Sequence, residues 1–155
     1  MKKFLLVSIS ICAINAFNTQ AQEIKKTNRQ QIVITKVVDG DTVDATLLEE
    51  KKNVRIRLAD IDCPETGKKN AKFYQQLKDL QLSESELKKH GKKVKEKLKA
   101  LIELNSDNIY FEETPEKVCK GEQRSVGILW TGEGKNINDY LLTKAGCKPY
   151  SCREK

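Results

Sequence analysis

The chain has 155 residues, with 29 lysines and arginines against 22 aspartates and glutamates, a formal charge of +7. That length holds one ordinary domain, and the basic surplus favours a polyanionic partner, nucleic acid or an anionic surface, without choosing between them. A single histidine and the lack of any CxxC pair argue against a zinc site and against a thiol oxidoreductase.

Residues 1–21 read as a signal peptide. Lys2 and Lys3 precede an apolar run, 4–13, too short to span a bilayer, and Thr19-Gln20-Ala21 offers a small-x-small cleavage site. No later stretch is long and apolar enough for a membrane helix, so the expected product is exported, periplasmic or secreted, with no membrane span. Export leaves Cys63, Cys119, Cys147 and Cys152, an even set in a compartment that permits disulfides. The expected bond joins Cys119 to Cys147 or Cys152, because the loop before the last barrel strand and the chain after the last helix should meet. A local Cys147–Cys152 pair is the alternative.

Residues 22–30 are polar, a flexible leader to one domain over 31–155. Residues 31–38 (Q-I-V-I-T-K-V-V) predict a strand rich in β-branched residues. Asp39-Gly40 signals a hairpin turn, 42–48 the returning strand, and 54–61 a third, completing an antiparallel meander. Pro64 stops the sheet. Residues 68–80 predict a helix with Phe73, Leu77 and Leu80 on one face. Around Ser83 the pattern breaks, and 86–103 is a longer helix with Leu87, Val94, Leu98 and Leu101 in a stripe. Lys88, Lys92, Lys95 and Lys99 form its solvated face rather than a phosphate track. Residues 109–111 and 125–130 are the last two strands, with a polar loop over 112–123 between them. Residues 138–145 make a short helix, N-capped by Asn138 and closed by Gly146. Five strands, a long helix between the third and fourth and a short helix after the fifth predict an α+β protein, mainly a β barrel of the OB type.

The chemistry gathers between Asp39 and Thr66. Asp41, Arg57, Asp62 and Glu65 set three carboxylates and a guanidinium around strands whose alternate residues, Val43, Ala45, Leu47 and Val54, Ile56, Leu58, turn inward. Acidic oxygens beside a planar cation are what metal-assisted attack on a phosphodiester requires.

At D-G-D-T (39–42), R-L-A-D-I-D-C-P-E-T (57–66) and R-S-V-G-I-L-W (124–130) the sequence resembles the staphylococcal nuclease family, over about residues 31–147. The resemblance implies an OB barrel, a monomer, and hydrolysis of DNA or RNA to 3′-phosphate ends. It implies that Asp41, Asp62 and the backbone carbonyl of Cys63 bind one Ca2+, with Asp39 supporting them. By the same resemblance Glu65 activates the attacking water, and Arg57 and Arg124 hold the scissile phosphate. Hard oxygen donors suit calcium or magnesium, and a partly loop-borne set leans to calcium. Two departures stand out. Glu122 and Gln123 precede Arg124 where the family has a tyrosine and a glycine, which leaves base stacking to Tyr150. The segment 68–89 is longer than the corresponding family loop. A catalytically inactive OB module that binds single-stranded nucleic acid is the alternative, and its mark would be loss of Asp41, Arg57, Asp62 or Glu65. A scaffold barrel would leave Arg57 and Arg124 unexplained.

Overall fold

The computed structural model of the protein describes residues 28–67, 69–115 and 124–150. The expected signal peptide, residues 22–27 of the leader, Cys119 and Cys152 lie outside the described residues. The predicted meander is present as β1 (Arg29–Asp39), β2 (Thr42–Leu47) and β3 (Lys52–Leu58), each antiparallel to the next. β1 starts earlier than expected because Arg29 and Gln30 pair with Glu112 and Phe111 of β5 (Ile109–Glu113). Arg29 Nε also lies 3.1 Å from Glu112 Oε2, so these two residues belong to the barrel and not to the leader.

β6 (Ser125–Thr131) runs antiparallel to β5 and parallel to β3, closing a five-stranded barrel in the order β1-β2-β3-β6-β5. Parallel neighbours need a long crossover. Here α1 (Ala71–Leu80), α2 (Glu84–Leu104) and β5 provide it. Register shifts between Ile34 and Lys36 and between Val37 and Asp39 bend β1, which lets one long strand serve both β2 and β5. The fold is thus the expected α+β barrel.

The core lies inside the barrel and under α2. Ile56, Ile109, Phe111 and Leu129 are buried from the strands, and Val94 and Leu98 from the helix. Each such side chain contributes roughly 1.5–3 kcal/mol. α2 starts where Ser83 accepts from the Glu86 N–H and the Glu86 carboxylate accepts from the Ser83 N–H, a reciprocal cap. Its lysine row is not simply solvated. Lys95 donates to the Val38 carbonyl at 2.8 Å, and Lys88 sits 5.8 Å from the Phe73 ring centroid. Among the described residues no helix is long and apolar enough to cross a membrane.

Close approach requires glycine at Gly40 and Gly91, among other positions. Gly40 and Asp41 form the β1–β2 turn, one residue later than Asp39-Gly40 suggests. A Cβ on Gly40 would lie 2.7 Å from Val94 Cγ1 and 2.9 Å from Cys63 Cβ. On α2, a Cβ on Gly91 would lie 2.5 Å from the Glu65 carbonyl oxygen and 2.7 Å from that of Pro64. Gly91→Ala gains about 1 kcal/mol of helix propensity. It also forces backbone apart, an overpacking that costs about 1–3 kcal/mol. We expect the second term to win and the thermal midpoint to fall; a midpoint equal to or above wild type would contradict this contact.

The third strand departs from expectation. It ends at Leu58, Ala59 and Asp60 turn the chain with Asp60 at φ 61°, and β4 (Ile61–Asp62) leaves the barrel. β4 pairs antiparallel with β7 (Lys148–Pro149), Ile61 opposite Pro149 and Asp62 opposite Lys148. Continuing that register by one step sets Cys63 opposite Cys147, and these two form the disulfide. The expected bonds from Cys147 to Cys119 or Cys152 are therefore corrected. A Cys119–Cys152 bond lies outside the described residues.

The last helix is also corrected. α3 (Ile137–Tyr140) is capped by Asn136, whose side chain accepts from the Asp139 N–H, and continues as one π-type turn over Leu141–Ala145. Asn138, expected as the cap, is buried instead. Its Oδ1 accepts from the Leu129 N–H, and its Nδ2 donates to the carbonyls of Ala59 and Gly127 at 3.0 and 3.1 Å. Three backbone groups away from the helix compete for this amide and win it. Gly146, at φ 95°, closes the segment as expected.

Candidate active site

The residues singled out from the sequence come from five separate pieces of chain. Asp39 ends β1, Asp41 sits in the turn, Arg57 is on β3, Asp62 on β4 and Glu65 just after it. Arg124 precedes β6 and Tyr150 follows β7. All seven line one cleft of about 880 Å³. Cys63, the eighth, lies beneath it, buried by its disulfide.

Asp41 is the centre. It is 4% exposed, and its carboxylate accepts from the Cys63 N–H at 2.9 Å and from the Thr42 hydroxyl at 3.1 Å. Arg57 Nη1 stands 2.6 Å from Asp41 Oδ2, while Nη2 donates to the Ile61 carbonyl at 2.8 Å and reaches Asp62 Oδ1 at 3.3 Å. A planar fork is suited to bridging carboxylates that arrive from different strands. Asp39 accepts from the Thr66 hydroxyl, which joins the end of β1 to the loop after Glu65. The Tyr150 ring flanks the guanidinium, its centroid 5.7 Å from Arg57 Cζ.

α1 closes one side of the cleft with two residues that the sequence did not single out. Lys72 Nζ is 2.6 Å from Asp62 Oδ1, 3.0 Å from Glu65 Oε1 and 3.3 Å from Asp41 Oδ2. Gln76, one turn later and buried, donates through Nε2 to Asp62 Oδ2 at 2.9 Å and to the Cys63 carbonyl at 3.0 Å. Its Oε1 accepts from the Glu65 N–H at 2.9 Å. Lys72 carried no signal, being one lysine in a lysine-rich chain. Gln76 carried a faint one: it shares the i, i+3 face with Phe73, which is fully buried.

Burial sets the electrostatics of these groups, and charge then redirects it. For Asp41, burial alone would raise the pKa, but the Arg57 and Lys72 charges and the Cys63 N–H outweigh it and hold the carboxyl below its ordinary 3.8. For Glu65 burial dominates, the negative charges of Asp39 and Asp41 add to it, and Lys72 opposes it. The net effect is a carboxyl above its ordinary 4.5. Burial would depress Lys72, yet Asp41 and Asp62 overcome that and raise its ammonium above 10.5.

The donors fit a hard divalent cation. Three carboxylate oxygens converge within 3.3 Å of one positively charged atom, and the Cys63 carbonyl shares the Gln76 amide with Asp62. Among the described residues, however, the acids do not close on each other as a ready-made metal cluster. They close on the Lys72 ammonium.

A profile of the staphylococcal nuclease homologue family matches residues 55–153. The chain is a staphylococcal nuclease homologue. Over 66 residues it is 36% identical to a micrococcal nuclease from Shigella flexneri, a match that spans 38% of this chain and 37% of that relative. The family match takes in Arg57, Asp62, Glu65, Arg124 and Tyr150 and begins after Asp39 and Asp41. In this homologue the β1–β2 hairpin carries those two aspartates to the matched residues.

Proposed function

We propose that this staphylococcal nuclease homologue is an exported, monomeric, calcium-dependent nuclease that hydrolyses the phosphodiester bonds of DNA or RNA to 3′-phosphate ends. The observation that carries the reading is the convergence of Asp41, Asp62 and Glu65 on one cationic point, with Arg57 and Arg124 on the same cleft. Asp41, Asp62 and the Cys63 carbonyl are the residues to hold calcium, which when bound polarises the phosphate and acidifies a water. Asp39 supports that set by tying down Thr66. Glu65 takes the proton from the water, a role its raised pKa suits, since a base nearer the working pH transfers protons more readily. Arg57 and Arg124 neutralise the charge that develops on the phosphate. Tyr150, 44% exposed beside Arg57, offers a ring on which a base can stack. The buried Cys63–Cys147 disulfide supports an oxidising destination.

One observation favours the alternative, an OB module that binds single-stranded nucleic acid without cutting it: an ammonium stands where a metal would. The purified protein separates the two when incubated with DNA and with RNA, in calcium and in chelator. We expect cleavage of at least one substrate in calcium and none in chelator. Cleavage indifferent to chelator would overturn the calcium assignment, and salt-dependent binding without cleavage would establish the binding module.

A further inference from the structure

α1 reaches into the acid cluster twice. Lys72 and Gln76 are four residues apart, so both project from one face of the helix. The Lys72 ammonium lies within 3.3 Å of Asp41, Asp62 and Glu65 together. Gln76 covers the other Asp62 oxygen and the Cys63 carbonyl. Each group assigned above to calcium, Asp41, Asp62 and the Cys63 carbonyl, therefore already has an oxygen in contact with α1. The rest of the helix is anchored lightly. Asn70 caps it through the Phe73 N–H, Phe73 is fully buried, and Tyr74, Gln75, Lys78 and Asp79 are exposed.

We propose that Lys72 is a tethered competitor for the divalent cation: its ammonium neutralises the acids in the metal-free protein, and calcium binds only as it withdraws. A divalent ion and an ammonium cannot share the point at which three carboxylates meet, because Ca2+ needs oxygen contacts of about 2.3–2.6 Å on all sides. Withdrawal costs little in reach, since the lysine stem is flexible and the side chain is about one-third exposed. If the ammonium holds the position about nine-tenths of the time, the apparent affinity for calcium falls about tenfold. α1 thus sets the calcium concentration at which the site fills. The freed ammonium stays in the cleft, at its rim. This inference rests on the calcium reading of the site.

Calcium titration of the full chain by calorimetry tests it, using wild type, Lys72→Met and Lys72→Arg. Lys72→Met is expected to tighten calcium binding by about tenfold or more, while Lys72→Arg, which keeps the charge, stays near wild type. Thermal unfolding gives a second readout that tolerates a weakened fold. In chelator Lys72→Met should unfold at a lower temperature than wild type, and saturating calcium should raise its midpoint by more than it raises the wild type's. Equal calcium affinity in wild type and Lys72→Met would overturn the competition and leave the metal site standing. An equal gain in Lys72→Met and Lys72→Arg would trace the effect to packing and also overturn it. No calcium binding by any of the three would remove the metal reading itself.

Discussion

Glu65→Gln is expected to lower nucleic-acid cleavage by about 10²- to 10⁴-fold, the usual contribution of a positioned general base, while binding of the substrate persists. The substitution keeps the shape of a residue that is only 9% exposed and removes its ability to accept a proton. Folding should survive. The fold raises the Glu65 pKa, chiefly by burial, so it favours the neutral side chain. The stability Glu65 contributes is present below its ordinary 4.5 and is lost as the pH rises through the raised value. At neutral pH a neutral glutamine therefore leaves the protein at least as stable. In the metal-free protein the same shift puts titration of the Glu65 carboxyl above 4.5. Asp41→Ala differs in kind, because it removes a ligand proposed for calcium and an ion-pair partner of Arg57, and added calcium should restore part of its activity. Single-turnover cleavage and substrate binding, measured on the same preparations over a calcium titration, check these expectations. Full cleavage by Glu65→Gln would remove Glu65 from the mechanism.

Breaking the Cys63–Cys147 bond is expected to cost about 4–5 kcal/mol at most, from the entropy of a closed loop of 84 residues. Set against a typical total of about 5–15 kcal/mol, this is a large share. Reduction should lower the thermal midpoint on the order of 10 °C or more. It should also loosen the site, because Cys63 lies between Asp62 and Glu65 and its N–H and carbonyl bind Asp41 and Gln76. The paired substitution Cys63→Ser with Cys147→Ser should therefore weaken calcium binding as well as stability. Differential scanning calorimetry with and without reductant checks the first effect, and calcium titration of the double variant checks the second. A midpoint that does not move on full reduction would show that β4 and β7 hold together without the covalent link.

What the sequence determined by itself was whatever local physics decides. Apolar alternation marked β2 and β3, because a half-buried strand needs a period of two wherever it sits, and a β-branched run marked β1. The helical period marked α2 within two residues at its start and one at its end. Asp39, Asp41, Arg57, Asp62, Glu65, Arg124 and Tyr150 could each be singled out by residue type and motif, and all seven line one cleft.

Tertiary structure decided the rest, where the outcome depended on partners far along the chain. β4 and β7 have two residues each, too few to carry any period, and only their pairing sets Cys63 opposite Cys147. Asn136 and Asn138 are equally good caps by residue type. The choice between them was made by the Ala59, Gly127 and Leu129 backbone groups that claim the second amide. Lys72 was illegible, and Gln76 nearly so, for the same reason. A lysine or glutamine on a short amphipathic helix reads as solvated surface until the fold lays that helix across three carboxylates, whose charge then outweighs the cost of burying the ammonium.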